Sequence, residues 1–176
     1  MDKVNPETVL VKDSKHGQGI FTTIDLPKKS VILKISGKPL TFEETLKLGN
    51  DECYTMQTGI NKYIIPDHPF HLSNHSCQPN CGINRKMEFI SLRDIKAGEE
   101  LLWDYSTSMM ERHWTMQCDC GSTECRNIIR DFDMLPIHIQ ERYLHLKIVL
   151  PFIVEELYGL PTIERVNSQK LVATGK

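Results

Sequence analysis

Three short strings carry most of the chemistry this sequence could perform. They are Asn74-His75-Ser76-Cys77-Gln78-Pro79-Asn80, Gly98-Glu99-Glu100-Leu101-Leu102-Trp103-Asp104-Tyr105, and Cys118-Asp119-Cys120-Gly121 followed by Cys125-Arg126. In the third, Cys118, Cys120 and Cys125 bring three thiols close together, and Gly121 permits the tight turn between them. The single residue between Cys118 and Cys120 strains a direct disulfide but suits two thiolates on one ion, which a reducing compartment also favours. A tetrahedral structural zinc site takes four ligands, so one must arrive from elsewhere in the chain. Cys77, in a loop rich in turn residues, is the leading donor; Cys81 is its rival, and Cys53 falls in a segment that reads as strand. The plainer reading of Cys77 is a small buried apolar residue. Four thiolates would leave no open position and make the metal a staple rather than a catalyst. His75 beside Cys77 also suggests a Cys/His nucleophile pair, but ligation explains Cys77 better.

The elements that must position these residues are mostly short strands. Residues 8–11 and 20–23 flank a glycine-containing turn, and 30–35 follow a Pro-Lys-Lys turn. Residues 42–48 have helical spacing and end at Gly49 as a C-cap, while 53–65 read as extended with Gly59 and Asn61 as turn residues. The stretch 66–84 is dense in His, Asn, Pro and Ser and is expected to be irregular; 87–92 and 100–103 read as strands. After Cys125 the period changes. Leu135, Ile139, Tyr143, Leu146, Leu150, Ile153 and Leu157 mark one helical face, with Pro136 in the first turn. Pro151 inside that pattern predicts a kink or two consecutive helices. Residues 161–176 lose the pattern and read as a mobile polar tail.

At 176 residues and 40% hydrophobic content the chain can bury one real core with a modest appendage. A net charge of −2 supplies no global positive field for nucleic acid or an anionic membrane. The N-terminal residues lack the basic start and apolar run of a secretory signal. The apolar stretch near 148–157 is interrupted by Pro151, Glu155 and Glu156 and is too short to span a bilayer. The expectation is a soluble intracellular protein, cytoplasmic or nuclear in a eukaryote, without a direct nucleic-acid or membrane partner.

Taken together, the strings resemble the SET-domain protein-lysine methyltransferases. Asn74-His75-Ser76-Cys77 with Pro79-Asn80 resembles the family's Asn-His-Ser-Cys-x-Pro-Asn loop, and Gly98-Glu99-Glu100-Leu101 with Asp104-Tyr105 resembles its Gly-Glu-Glu-Leu-x-x-Asp-Tyr segment. The cysteine string is similar to the zinc module that follows the domain (post-SET), and Lys15-His16-Gly17-Gln18-Gly19-Ile20-Phe21 to the first cofactor loop. The match covers roughly residues 6 to 128. It implies a mainly β fold: small curved β-sheets in which the Asp-Tyr segment threads beneath the Asn-His-Ser loop, a pseudoknot among otherwise unknotted topologies. The implied organisation is a SET domain over 6–106, a post-SET zinc-binding module over 107–128, a helical extension over 129–160 and the tail over 161–176.

The resemblance further implies S-adenosylmethionine as methyl donor, a protein lysine as acceptor, and one structural Zn2+ held by Cys77, Cys118, Cys120 and Cys125. Tyr105 is then the catalytic residue, its hydroxyl beside the transferring methyl. Cofactor contacts fall to His16, Gly17, Gln18, Gly19, Tyr54, Asn74, His75, Tyr105, Trp114 and Asp119. The substrate channel falls to Tyr54, Trp103 and Tyr105. Tyr54 also fits a packed strand aromatic, and Trp114 a plain hydrophobic anchor. Two departures stand out: Trp103 occupies a position that is usually Phe or Tyr and bears on how many methyls fit, and the family's preceding cysteine-rich region has no counterpart here. Glu43, Glu44, Asp51 and Glu52 favour a basic peptide or simply form a solvated acidic face. The expected partner is a protein with an accessible lysine, with the chain a monomer rather than a dimer; the C-terminal helices pack on the domain or offer a partner surface. The competing reading from another class is a non-catalytic, zinc-stapled module that binds basic peptides.

Overall fold

The computed structural model describes residues 8–159. Among these, four small sheets, all antiparallel, account for the strands. The first is a hairpin of β1 (Val9–Ser14) and β2 (Gly17–Thr22), in which Ser14 faces Gly17 across the turn. Gly17 sits there at φ 91°, a left-handed value that favours glycine. The second sheet sets β8 (Glu88–Ser91) between β3 (Val31–Lys34) and β7 (Cys81–Ile83). The third sets β6 (Lys62–Pro66) between β4 (Gly37–Leu40) and β5 (Met56–Gly59). A two-residue pair, β9 (Met116–Gln117) with β10 (Ile128–Ile129), closes the cysteine-rich segment into a loop.

The helical stretch expected over 42–48 is shorter and more broken. Helix α1 covers Phe42–Thr45, opened by a capping box between Thr41 and Glu44. The chain continues in 3-10 turns through Leu46–Tyr54, kinked at Gly49 (φ 59°, ψ −124°), so Gly49 is a hinge inside the element rather than its end. Cys53 therefore lies in a 3-10 turn, not in a strand. Within 66–84, expected to be irregular, Phe70–Leu72 make a 3-10 turn and Cys81–Ile83 form a fully buried strand.

Residues 100–103, read as a strand, belong to none of the sheets. They run instead among three partners. Leu101 donates its N–H to the Ile20 carbonyl of β2 at 2.8 Å, Trp103 donates to the Asn74 carbonyl at 3.2 Å, and Ser76 donates to the Trp103 carbonyl at 3.0 Å. Cys81 of β7 donates to the Leu102 carbonyl at 2.9 Å. The bridge between His75 and Trp103 is parallel, so the two segments run side by side in the same direction.

The expected helical face becomes two helices, α2 (Ile137–Leu146) and α3 (Pro151–Tyr158), with Pro151 opening the second. Between them Lys147 takes a left-handed conformation (φ 59°). The buried residues Ile20, Leu26, Ile32, Phe89, Leu101 and Trp103 of the β region form one core with Phe132, Ile139, Tyr143, Ile148, Leu150 and Ile153 of the extension. The helices thus complete the core. A second, smaller cluster gathers Cys77, Met109, Cys118 and Ile129. The tail expected over 161–176 lies outside the described residues.

Candidate active site and metal centre

Cys77, Cys118, Cys120 and Cys125 converge, their sulfur atoms all within 4.8 Å of one another. Cys77 and Cys118 are buried, Cys120 and Cys125 half-buried. Three thiols from one loop and one from the 74–80 loop form a closed four-sulfur set, the donor chemistry of a structural zinc site, and the residues fit that ion. Cys81, the rival to Cys77, is wholly buried in the main core, where burial raises its thiol well above the usual range, and Cys53 lies elsewhere as a wall of the cavities described below.

His75 links this cluster to Tyr105. Its Nδ1 accepts the Tyr105 backbone N–H at 3.2 Å, so the ring proton belongs on Nε2, which lies 3.3 Å from Cys77 Sγ. Burial depresses the imidazole to about 4, against the pull of neighbouring Asp104, so the ring stays neutral. An N–H aimed at a ligand sulfur orients that ligand and adjusts its basicity.

Two cavities meet at Tyr105. One is bordered by His16, Gly17, Gln18, Leu72 and Asn74. The other is bordered by Phe42, Met56, Tyr63, Phe70, Trp103 and Glu111, among others. Their shared wall consists of Cys53, Tyr54, His71, Ser73, Tyr105 and Trp114. The Tyr105 hydroxyl donates to the Ser73 carbonyl at 2.7 Å, and its ring packs against His75, Trp103 and Trp114 with centroids 5.2, 4.9 and 6.5 Å away. Burial raises the phenol, so the hydroxyl is protonated. Its single proton is committed to Ser73, and its lone pairs remain free to accept.

The first cavity is built by long-range polar ties. Asn74 donates through Nδ2 to the Gln18 carbonyl at 3.0 Å and to Glu100 Oε1 at 2.8 Å, while Ser14 donates to Glu100 Oε2 at 2.8 Å. Gly19 does not line this cavity. A Cβ there would stand 2.1 Å from Glu100 Oε1, so the glycine makes room for the Asn74–Glu100 pair. Asp119, from the cysteine loop, pairs with Lys15 at 3.0 Å and with His16 at 3.2 Å, tying that loop to the β1–β2 turn. Trp114 borders both cavities and packs on the cysteine cluster.

In the second cavity Trp103 donates through Nε1 to Ser73 Oγ at 2.9 Å, so its polar edge is already satisfied. Glu52 and His113 pair at 3.2 Å on the wall, and burial, reinforced by Asp131, raises the Glu111 carboxyl. Ser73, His71, Gln57 and Glu111 were not singled out in the sequence. Ser73 sits immediately before Asn74, and that adjacency was the one available signal; the others come from elements whose mutual approach no local spacing encodes.

Comparison with known proteins follows the same residues. A family model described as the SET domain matches residues 17–106, just over half of the chain. The human "Histone-lysine N-methyltransferase 2B" is 25% identical over 151 residues, covering 73% of this chain and 5% of that protein. The Drosophila melanogaster "Histone-lysine N-methyltransferase ash1" is 26% identical over 129 residues, 64% of this chain and 6% of its own length. "Histone-lysine N-methyltransferase Su(var)3-9" of Drosophila pseudoobscura pseudoobscura is 30% identical over 155 residues, 69% of this chain and 24% of that protein. The chain thus spans a quarter or less of these relatives. A solved structure of a humanized mutant of the Chaetomium thermophilum Polycomb Repressive Complex 2, bound to the inhibitor GSK126, aligns with a TM-score of 0.52 at 17% identity. The alignment covers 61% of this chain and 16% of that one and speaks to the fold alone.

Proposed function

The chain belongs to the SET-domain family, and on that premise we propose that it transfers methyl groups from S-adenosylmethionine to the side-chain amine of a lysine in a protein substrate. The observation that carries this reading is the pair of cavities sharing Tyr105 as a wall. One cavity takes the donor and the other the lysine, so that the two reach each other across the shared wall that holds the tyrosine. The donor supplies a methyl carbon on a positively charged sulfur, open to in-line displacement by a neutral amine.

The protein's share of this work is placement and desolvation. A free lysine holds its proton up to a pKa of about 10.4. The aromatic walls contributed by Phe42, Tyr63, Phe70 and Trp103 withdraw the ammonium from water and favour its neutral form. Tyr105, protonated and with free lone pairs, accepts an N–H from the incoming amine and fixes its approach. It does not serve as the base, because its own phenol is raised rather than lowered. Asn74 and the backbone of His16, Gly17 and Gln18 border the donor's side, and Glu52 and Glu111 near the lysine's path favour a cationic segment. The four cysteines would hold one structural Zn2+, leaving no position for chemistry at the metal. We assign the SET domain to 6–106, the zinc module to 107–128 and the extension to 129–160, in a monomer that acts on protein within the cell. Among the described residues no helix is long and apolar enough to cross a membrane.

The test is mass spectrometry of lysine methylation in extract incubated with S-adenosylmethionine and either wild-type or Tyr105→Phe protein. New methyl-lysine with the wild type is expected, reduced on the order of 10²-fold in the variant, the usual cost of one oriented group at a reacting centre. Calorimetry with S-adenosylmethionine separates a pure peptide-binding module, which would give no heat.

A further inference from the structure

The residue before Tyr105 is held from three directions. Asp104 is wholly buried, and its Oδ1 accepts the Ser106 backbone N–H at 3.1 Å and Arg126 Nη2 at 2.9 Å. Arg126 Nη1 stands 2.7 Å from Oδ2, and the Tyr143 hydroxyl donates to the same oxygen at 2.8 Å. Each partner belongs to a different part of the chain. Ser106 is the second residue of the 3-10 turn Tyr105–Ser108. Arg126 follows directly after Cys125, and its own backbone N–H points at Cys77 Sγ at 3.4 Å. Tyr143 projects from α2 and is 1% exposed.

Helix α2 grips the cysteine loop a second time from outside. Arg142, beside Tyr143, pairs with Glu124 at 2.9 Å and lies over the Tyr143 ring at 5.3 Å. The chain after α2 also holds the Tyr105 turn, since Leu150 donates to the Thr107 carbonyl at 3.0 Å. A shift of α2 would therefore move Asp104, and with it both the backbone of Tyr105 and the arginine that anchors the cysteine loop. A carboxylate buried against one guanidinium keeps its orientation only if its remaining lone pairs are met, and Tyr143 meets one of them.

We propose that Tyr143 is a positioning residue: its hydroxyl orients the Asp104 carboxylate, which sets Tyr105 at the junction of the two cavities and locks the cysteine loop, with Asp119 and Trp114 near it, over the donor side. The helical extension is then a working part of the site. This rests on the methyl-transfer reading only for its consequence in catalysis; the mechanical coupling is independent of it.

The test uses the full chain and Tyr143→Phe, which keeps the ring and removes the hydroxyl. Tyr158→Phe is the control: its hydroxyl donates to Gln140 Oε1 at 3.2 Å, on the same pair of helices but away from Asp104. Amide hydrogen exchange is expected to rise over 104–108 and 125–128 in Tyr143→Phe and to stay at the wild-type level there in the control. Affinity for S-adenosylmethionine is expected to fall about tenfold, the scale of one lost hydrogen bond to a charged group. Unchanged exchange over those residues, or a uniform rise across the whole chain, overturns the proposal. If the wild type takes up no S-adenosylmethionine, the methyl-transfer reading fails while the exchange comparison still decides this one. Should Tyr143→Phe not fold, Arg142→Met removes the Glu124 pair and the cation over the Tyr143 ring while keeping the Tyr143 hydroxyl: faster exchange over 118–125 supports the hold of α2 on the loop, and no change overturns it.

Discussion

Tyr105 and the four cysteines were legible as sequence because short strings declare them. Trp103 was legible only as an oddity. Its environment explains it: the indole N–H is taken up by Ser73 Oγ and the ring stacks between Phe70, 5.6 Å away, and Tyr105. On the methyl-transfer reading, a bicyclic ring on the wall of this cavity leaves less room beside an incoming amine than a phenyl would. Trp103→Phe is therefore expected to widen the channel, costing about 1–3 kcal/mol for the lost packing and the stranded Ser73 hydroxyl. In a methylation assay read by mass spectrometry, its products should shift toward more highly methylated lysine. An unchanged product distribution would mean that Trp103 does not set the size of the acceptor site. The partners of Asp104 could not be read in advance at all. Arg126 and Tyr143 lie 22 and 39 positions away, and no periodicity in either segment points at a shared carboxylate.

At the scale of elements, the sequence signals were right about the type of most segments and wrong about that of 100–103 and of Cys53. The change of period after Cys125 predicts α2 and α3, and Pro151 marks their junction because a proline that cannot continue one helix can begin the next. The misread segments, 42–54 and 100–103, owe their form to what they pack against. The first follows the wall of a cavity through a kink at Gly49, and the second finds its hydrogen bonds on two sides of a threaded path rather than in a sheet. One inter-element constraint lies at Gly82 of β7. A Cβ there would stand 2.6 Å from Ile148 Cγ2 and 2.9 Å from Ile148 Cβ, so the segment linking α2 to α3 is seated directly on a bare backbone. Gly82→Ala is expected to destabilise the fold by about 1–3 kcal/mol through overpacking, measured by denaturant unfolding. Adding Ile148→Ala should recover part of that loss. A double variant no more stable than Gly82→Ala alone would show that the two sites are not in conflict.

For the molecule as a whole, the question is what a zinc ion on the four clustered cysteines would support. The two apolar clusters differ in size and in what fills them. The main core runs from the β region through α2 and α3 and contains none of the four clustered cysteines, whereas the smaller one consists of Cys77, Met109, Cys118 and Ile129. Stripping the ion should therefore leave the main core folded and release the smaller cluster, since thiols without a shared ion lose the bonds that define their geometry. The loosened loop carries Asp119, whose pairs with Lys15 and His16 join it to the β1–β2 turn at the edge of the cavity proposed for the donor. Chelation is expected to keep far-UV circular dichroism nearly unchanged, to lower the melting midpoint by about 2–4 °C for each kcal/mol lost in a domain of this size, and to abolish calorimetric binding of S-adenosylmethionine. Adding zinc back should restore both. The coupling runs in one direction that a purely structural staple would not show: donor binding should fail at temperatures well below the melting point of the stripped protein. If binding and melting instead decline together, the metal stabilises the fold as a whole and the cysteine loop is no lid on the donor side.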